Sequence, residues 1–269
     1  MAAGEVLLDV QRVGLTLGGN AILRDCSFQV LDRVRPGVVT GQIVALLGPS
    51  GVGKTRLLRI IAGLDPPDVG RVTGYKGAPL LEGEVGVVFQ HYPLLRHRRV
   101  LGNLETAGRM NGMGAAEARS RAAHLLERFG LTARAQLYPA QLSGGQRQRA
   151  AIAQQLMKPK TFLLLDEPFS GLDPSALGDV IKLLVEVANM DELNTLVIVT
   201  HDIEAAVVCS DAVMLLGREP NALGKGVGPA KIQRSVDLVA EGLAYQDDVE
   251  QLPRFAELVR DLKDGFRRL

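Results

Sequence analysis

Between Val6 and Val30 two apolar stretches flank Gly18, Gly19 and Asn20. That pattern predicts a hairpin of antiparallel strands. Further along, Ile43 to Leu47 is an unbroken β-branched and aliphatic run that ends at Gly48, as expected of a strand buried on both faces. Similar runs recur at Val85 to Phe89, at Phe162 to Leu165 (ending at Asp166), at Thr195 to Thr200 (ending at His201) and at Ala212 to Leu216. Arg56 to Gly63 has helical spacing and is closed by a glycine and the pair Pro66 and Pro67. Buried strands separated by helical segments predict a mostly parallel α/β sheet covered on both faces. In such sheets ligands bind at the carboxyl ends of the strands, where Gly48, Asp166 and His201 all fall.

The stretch from His91 to Lys158 is helical in pattern, over Ala115 to Phe129 and Gln146 to Met157, and predicts a helical lobe inserted into the core. There is no internal repeat. Near the end, Phe255, Leu258, Val259, Leu262, Phe266 and Leu269 share one helical face, with Arg254, Arg260, Lys263, Arg267 and Arg268 on the remainder. Three readings are open for that helix: packing on its own domain, a dimer contact, or a basic face near lipid headgroups.

Composition narrows the class without changing this picture. The chain has 269 residues, 46% of them hydrophobic and 23% charged, which suits one large globular domain or a domain with an appendage. A net charge of +1 argues against broad sequence-independent contact with nucleic acid. Cys26 and Cys209 are too few and too scattered for a disulfide framework or zinc site, and both read as core residues of a reducing compartment. Met1 to Val10 lacks the basic and apolar regions of a secretory signal, and no apolar run approaches the ~20 residues that cross a bilayer. Any membrane role is therefore expected to run through a partner.

The chemistry is concentrated in three places. Gly48-Pro49-Ser50-Gly51-Val52-Gly53-Lys54-Thr55 matches G-x-x-x-x-G-K-[ST] between an expected strand and helix. Its glycines let successive N–H groups point at phosphate, the helix adds its positive dipole end, Lys54 adds a full charge, and the Thr55 hydroxyl is placed for magnesium. Next, Phe162 to Leu165 delivers Asp166, suited to hold magnesium, and Glu167, suited to act as general base or to orient the attacking water. Third, Leu142-Ser143-Gly144-Gly145-Gln146 precedes a helix; by itself it reads either as a Ser/Gly cap or as another anion-binding N-terminus.

Together with Gln90 after a strand, Ser170-Gly171-Leu172-Asp173 and His201, these motifs resemble the nucleotide-binding subunit of ABC-type ATPases, over about Val6 to Leu216. The resemblance implies a P-loop NTPase of ABC type: a mostly parallel core, an antiparallel β subdomain and an inserted helical subdomain at about 91–158. The nucleotide-binding domain would occupy 1–216, with 217–269 as a C-terminal extension. It implies that ATP and Mg2+ are bound and that Gln90 reaches the metal and the nucleophilic water. Ser143, Gly144, Gly145 and Gln146 would contact an ATP held mainly by an opposite subunit, His201 would bond the γ-phosphate, and Asp173 would touch the facing protomer. Leu17 stands where family members commonly stack an aromatic ring on adenine. Leu31 to Gly41 is longer than usual, and Gln154 replaces a frequent arginine.

Val87 to Leu95 and His201 to Ala206 are similar to nitrate, sulfonate and taurine uptake ATPases. On that resemblance the partners would be a second nucleotide-binding subunit, transmembrane permease subunits and a solute-binding protein, without nucleic acid, at the cytoplasmic face of the cell membrane. Pro93 to Leu104 would receive a cytoplasmic helix of the permease, next to the basic Arg96, His97, Arg98 and Arg99. A lipid or lipoprotein exporter, or a soluble non-transport ABC ATPase, is the alternative. Against the soluble class, the interval Thr55 to Leu142 is short and has no sustained heptads.

Overall fold

The computed structural model describes residues 4–33, 41–80, 83, 85–158, 160–190, 193–221, 226–244, 246 and 248–267. The long stretch before the phosphate loop, at 34–40, lies outside these residues, as do Arg268 and Leu269.

The expected hairpin forms from β1 (Val6–Leu17) and β2 (Asn20–Leu31), antiparallel and turning at Gly18 and Gly19, which take left-handed backbone angles. The phosphate loop lies between β3 (Gln42–Leu47), every residue of which is buried, and α1 (Lys54–Ile61). A short strand, β4 (Val69–Thr73), pairs with β1, and β5 (Val85–Val88) lies at the other edge of the sheet. The inserted lobe contains α2 (Val100–Met110), α3 (Ala115–Arg128) and α4 (Gly144–Gln155). The core resumes with β6 (Lys160–Asp166), α5 (Pro174–Ala188), β7 (Leu193–Thr200), α6 (Ile203–Cys209), β8 (Ala212–Pro220), β9 (Gly226–Asp237) and α7 (Pro253–Phe266).

These strands make one nine-stranded sheet in the order β4-β1-β2-β9-β8-β3-β7-β6-β5. From β8 to β5 the pairs are parallel, whereas β1–β2, β1–β4 and β8–β9 are antiparallel. The two regions meet where β2 and β9 pair in parallel at Leu23 and Ala230.

Two strands escape the periodicity reading. Val69 to Thr73 is interrupted by Gly70 and Arg71, and Gly226 to Asp237 contains two glycines, a proline and three charged residues where aliphatic runs mark the other core strands. Their neighbours supply the apolar contacts, so their own composition carries little signal. α7 packs on its own domain: Phe255, Leu258, Val259 and Leu262 are buried among Leu47, Ile203, Val207 and Leu215. Three of its basic side chains pair with acids, Arg254 with Glu241, Lys263 with Glu204 and Arg267 with Asp264. No helix among the described residues is long and apolar enough to cross a membrane.

Candidate functional site

β3 ends against a loop that has room for no side chain at Gly48, where an added Cβ would lie 2.5 Å from the Leu216 carbonyl oxygen. Gly53 adopts φ +114°, a conformation rarely open to other residues, and starts α1. This backbone turns the chain so that Lys54, buried at its side chain, reaches back over the loop. Its ammonium donates to the carbonyls of Gly48 at 2.7 Å and Pro49 at 3.2 Å, and lies 3.2 Å from Glu167 Oε1.

β6 and β7 are parallel and in register, so Asp166 and Thr200 emerge at the same end of the sheet as Gly48. Thr55 Oγ1 donates to the Asp166 carboxylate, 3.0 Å from Oδ2 and 3.2 Å from Oδ1. Burial pushes the Asp166 pKa up; the Thr55 hydrogen bond offsets part of this, while the neighbouring Glu167 charge adds to it. A buried carboxylate held at this cost, beside a hydroxyl and facing the phosphate loop, is a hard-oxygen donor set that fits magnesium.

Glu167 has a left-handed backbone, φ 50°, and its N–H donates to the Val199 carbonyl at 2.7 Å. Its Oε2 meets His201 Nδ1 at 2.9 Å, the Thr200 hydroxyl at 3.2 Å and the His201 N–H at 3.3 Å. The carboxylate is thus aimed by groups at the end of β7 and balanced on its other oxygen by Lys54. Its side chain keeps 13% exposure and that of His201 50%, so both remain accessible. Gln90 Nε2 donates to Ser170 Oγ at 3.4 Å.

Leu17, Ile22, Ser50, Gly51, Gly53, Lys54, Thr55, Arg56, Gln90, Glu167, Ser170 and His201 line one open cavity of about 530 Å³. Sequence reasoning reached the loop, Asp166, Glu167, His201, Gln90 and Leu17, and the structure brings these together. It missed Ile22, Arg56, Ser170 and Thr200. Ile22 follows the turn that carries Leu17, and Ser170 opens the Ser170-Gly171-Leu172-Asp173 motif, so both carried a usable signal; Thr200 is placed only by strand register.

Ser143, Gly144, Gly145, Gln146 and Asp173 do not line this cavity. Ser143 caps α4, accepting from the Gln146 N–H at 3.3 Å while the Gln146 side chain accepts from the Ser143 N–H at 3.1 Å, and a Cβ at Gly144 or Gly145 would meet nothing within 4 Å. Asp173 caps α5 through the N–H groups of Ser175 and Ala176, both at 3.0 Å. These two caps present their helix starts to open surface.

A protein-family model described as "ABC transporter" matches residues 31–170. The chain is 41% identical over 249 residues to the sulfate/thiosulfate import ATP-binding protein CysA of Thermosynechococcus vestitus, covering 85% of this chain and 74% of that protein. With the CysA of Pseudomonas putida the identity is 40% over 208 residues, 74% of this chain and 63% of that one. The glutamate/aspartate import ATP-binding protein GltL of Escherichia coli K12 is 40% identical over 198 residues, 70% of this chain and 81% of that protein. Against the sulfate/thiosulfate relatives, the chain spans from 56% to 74% of their length. The solved CbiO1 of Clostridium perfringens, part of the complex cbiONQ, superposes with a TM-score of 0.73 at 24% identity over 95% of this chain and 99% of that one, a likeness of fold. A dimeric ATP-binding cassette, MJ0796, in a post-hydrolysis state with ADP and Pi gives 0.68 at 27% identity, over 86% of this chain and 99% of that one.

Proposed function

As a member of the ABC transporter family and one of its ATPases, the chain, we propose, powers uptake of a small oxyanion or sulfonate by closing head-to-tail with a second nucleotide-binding subunit beneath a pair of permease subunits. The observation that carries hydrolysis is the convergence of Lys54 and His201 on the two oxygens of Glu167 at the mouth of the glycine loop. In this reading the loop N–H groups and Lys54 hold the β- and γ-phosphates. Thr55, Asp166 and Gln90 are the residues that would hold magnesium, which when bound neutralises charge developing on the phosphates. Glu167 accepts the proton of the attacking water, and the half-exposed His201 bonds the γ-phosphate. Leu17 and Ile22 offer apolar contact to the base.

The outlying caps support the dimer. Ser143, Gly144, Gly145 and Gln146 open α4 on accessible surface, with space over Gly144 and Gly145 suited to the γ-phosphate of a nucleotide seated on the facing subunit. Asp173 would contact that subunit beside its phosphate loop. The solute class rests on the similarity of Val87 to Leu95 and His201 to Ala206 to nitrate, sulfonate and taurine uptake ATPases. The sulfate and thiosulfate named for the CysA relatives belong to the same oxyanion class. A solute-binding protein would complete the complex, with this chain at the cytoplasmic face of the membrane.

The test is Glu167→Gln. Mg-ATP is expected to bind and to drive association seen by light scattering, while turnover falls by roughly 10²-fold or more. Near-normal turnover would remove Glu167 from the chemistry.

A further inference from the structure

Gln148, about one turn into α4, is 1% exposed. Its amide nitrogen donates to the Pro168 carbonyl at 3.2 Å, while its amide oxygen has no hydrogen-bond partner among the described residues. An unpaired buried acceptor costs stability that an apolar side chain of similar shape would not incur, so packing does not account for a glutamine here. The same Pro168 carbonyl accepts a second bond, at 3.4 Å, from the hydroxyl of Tyr92, two residues past Gln90. Burial pushes the Tyr92 hydroxyl pKa up to about 12, so it remains a donor at neutral pH.

Pro168 directly follows Glu167. Both Glu167, φ 50°, and Tyr92, φ 46°, are non-glycine residues in the left-handed region, a conformation that persists only where surroundings fix it. The Ser170 N–H closes the turn on the Glu167 carbonyl at 3.3 Å, and Ser170 Oγ receives Gln90. Three segments therefore meet at one buried peptide: the turn that bears the carboxylate, the loop that bears Gln90, and the helix that begins after Ser143.

We propose that Gln148 and Tyr92 are positioning residues for hydrolysis: gripping the Pro168 carbonyl from two segments, they fix the backbone of Glu167 and so aim its carboxylate. A shift of α4 is then transmitted to Glu167 through a single hydrogen bond. This inference rests on the reading of Glu167 as general base.

Steady-state ATP turnover, Mg-ATP affinity and thermal melting of the full chain test it in Gln148→Leu and Tyr92→Phe. The expected result in each is a fall in kcat of ~10-fold, the scale of a misplaced catalytic group, with KM held within about twofold. Gln148→Leu is expected to melt at or above the wild-type temperature, because the orphaned oxygen is gone. In a Glu167→Gln background neither change is expected to lower single-turnover rates further. Unchanged kcat in both variants, or a loss that persists undiminished without the Glu167 carboxylate, overturns the proposal. Should Gln148→Leu fail to fold, Tyr92→Phe decides alone by the same criteria. Near-normal turnover in Glu167→Gln overturns the general-base reading and this inference with it; a dead Glu167→Gln beside fully active Gln148→Leu and Tyr92→Phe overturns only this one.

Discussion

Lys54 spans two carbonyls and a carboxylate from a side chain that is only 6% exposed, so its charge is compensated within the loop that it serves. Lys54→Ala is expected to abolish Mg-ATP binding, read as the loss of heat in calorimetry, because among the described residues no other cation is buried beside the loop carbonyls. The thiols behave differently. Burial raises the pKa of both Cys26 and Cys209 from 9.0 to about 12. A raised folded-state value means that the stability contributed by the neutral thiol is complete below pH 9, where the unfolded chain also keeps its proton. It is lost as pH rises toward 12. Thermal melts from pH 8 to 11 are expected to decline above pH 9, less steeply in a Cys26→Ala, Cys209→Ala variant after its neutral-pH loss is subtracted. At this scale the sequence was most legible where chemistry dictates residue type and spacing together, as at Gly48 to Thr55 and at Asp166-Glu167. Thr200 was illegible because its role comes from register: it ends β7 opposite Leu47, which places its hydroxyl on Glu167, and a threonine closing a β-branched run looks like any other.

Helix α7 shows how an element divides its labour. Leu262 is fully buried against the sheet, whereas Lys263 beside it reaches Glu204 with 48% of its side chain exposed. Leu262→Ala is expected to cost about 2–4 kcal/mol in urea unfolding, by lost transfer energy plus the cavity left behind. Lys263→Ala should cost under about 1 kcal/mol, since screened surface pairs contribute little. The helical face was readable from its period, and the runs of β3, β6 and β7 from their unbroken apolar character. β9 was not. It lies between β2 and β8, yet Arg234, Lys231 and Gln233 along it make polar contacts, to Asp261, Glu219 and the Gly217 carbonyl, that no periodicity template anticipates.

On the scale of the molecule, β9 closes the gap between the antiparallel strands and the parallel core. A chain ending at Leu216 would leave β8 and β2 with unpaired edges, and open edges recruit other strands. Such a truncation is expected to elute as aggregate in size exclusion, while the full chain stays dispersed. At the join, β2 and β9 share one ladder pairing, Leu23 with Ala230, and the Cys26 thiol donates to the Ala230 carbonyl at 3.5 Å. Leu17 and Ile22 stand on one side of that join and Lys54, Glu167 and His201 on the other, all around one cavity. Whatever fills the cavity therefore buttons the two regions together. Amides of β2 and β9 are expected to exchange hydrogen more slowly once Mg-ATP is added, and those of β7 to change least. In a starved cell, with nucleotide scarce, that seam would lose its fastening and open more often.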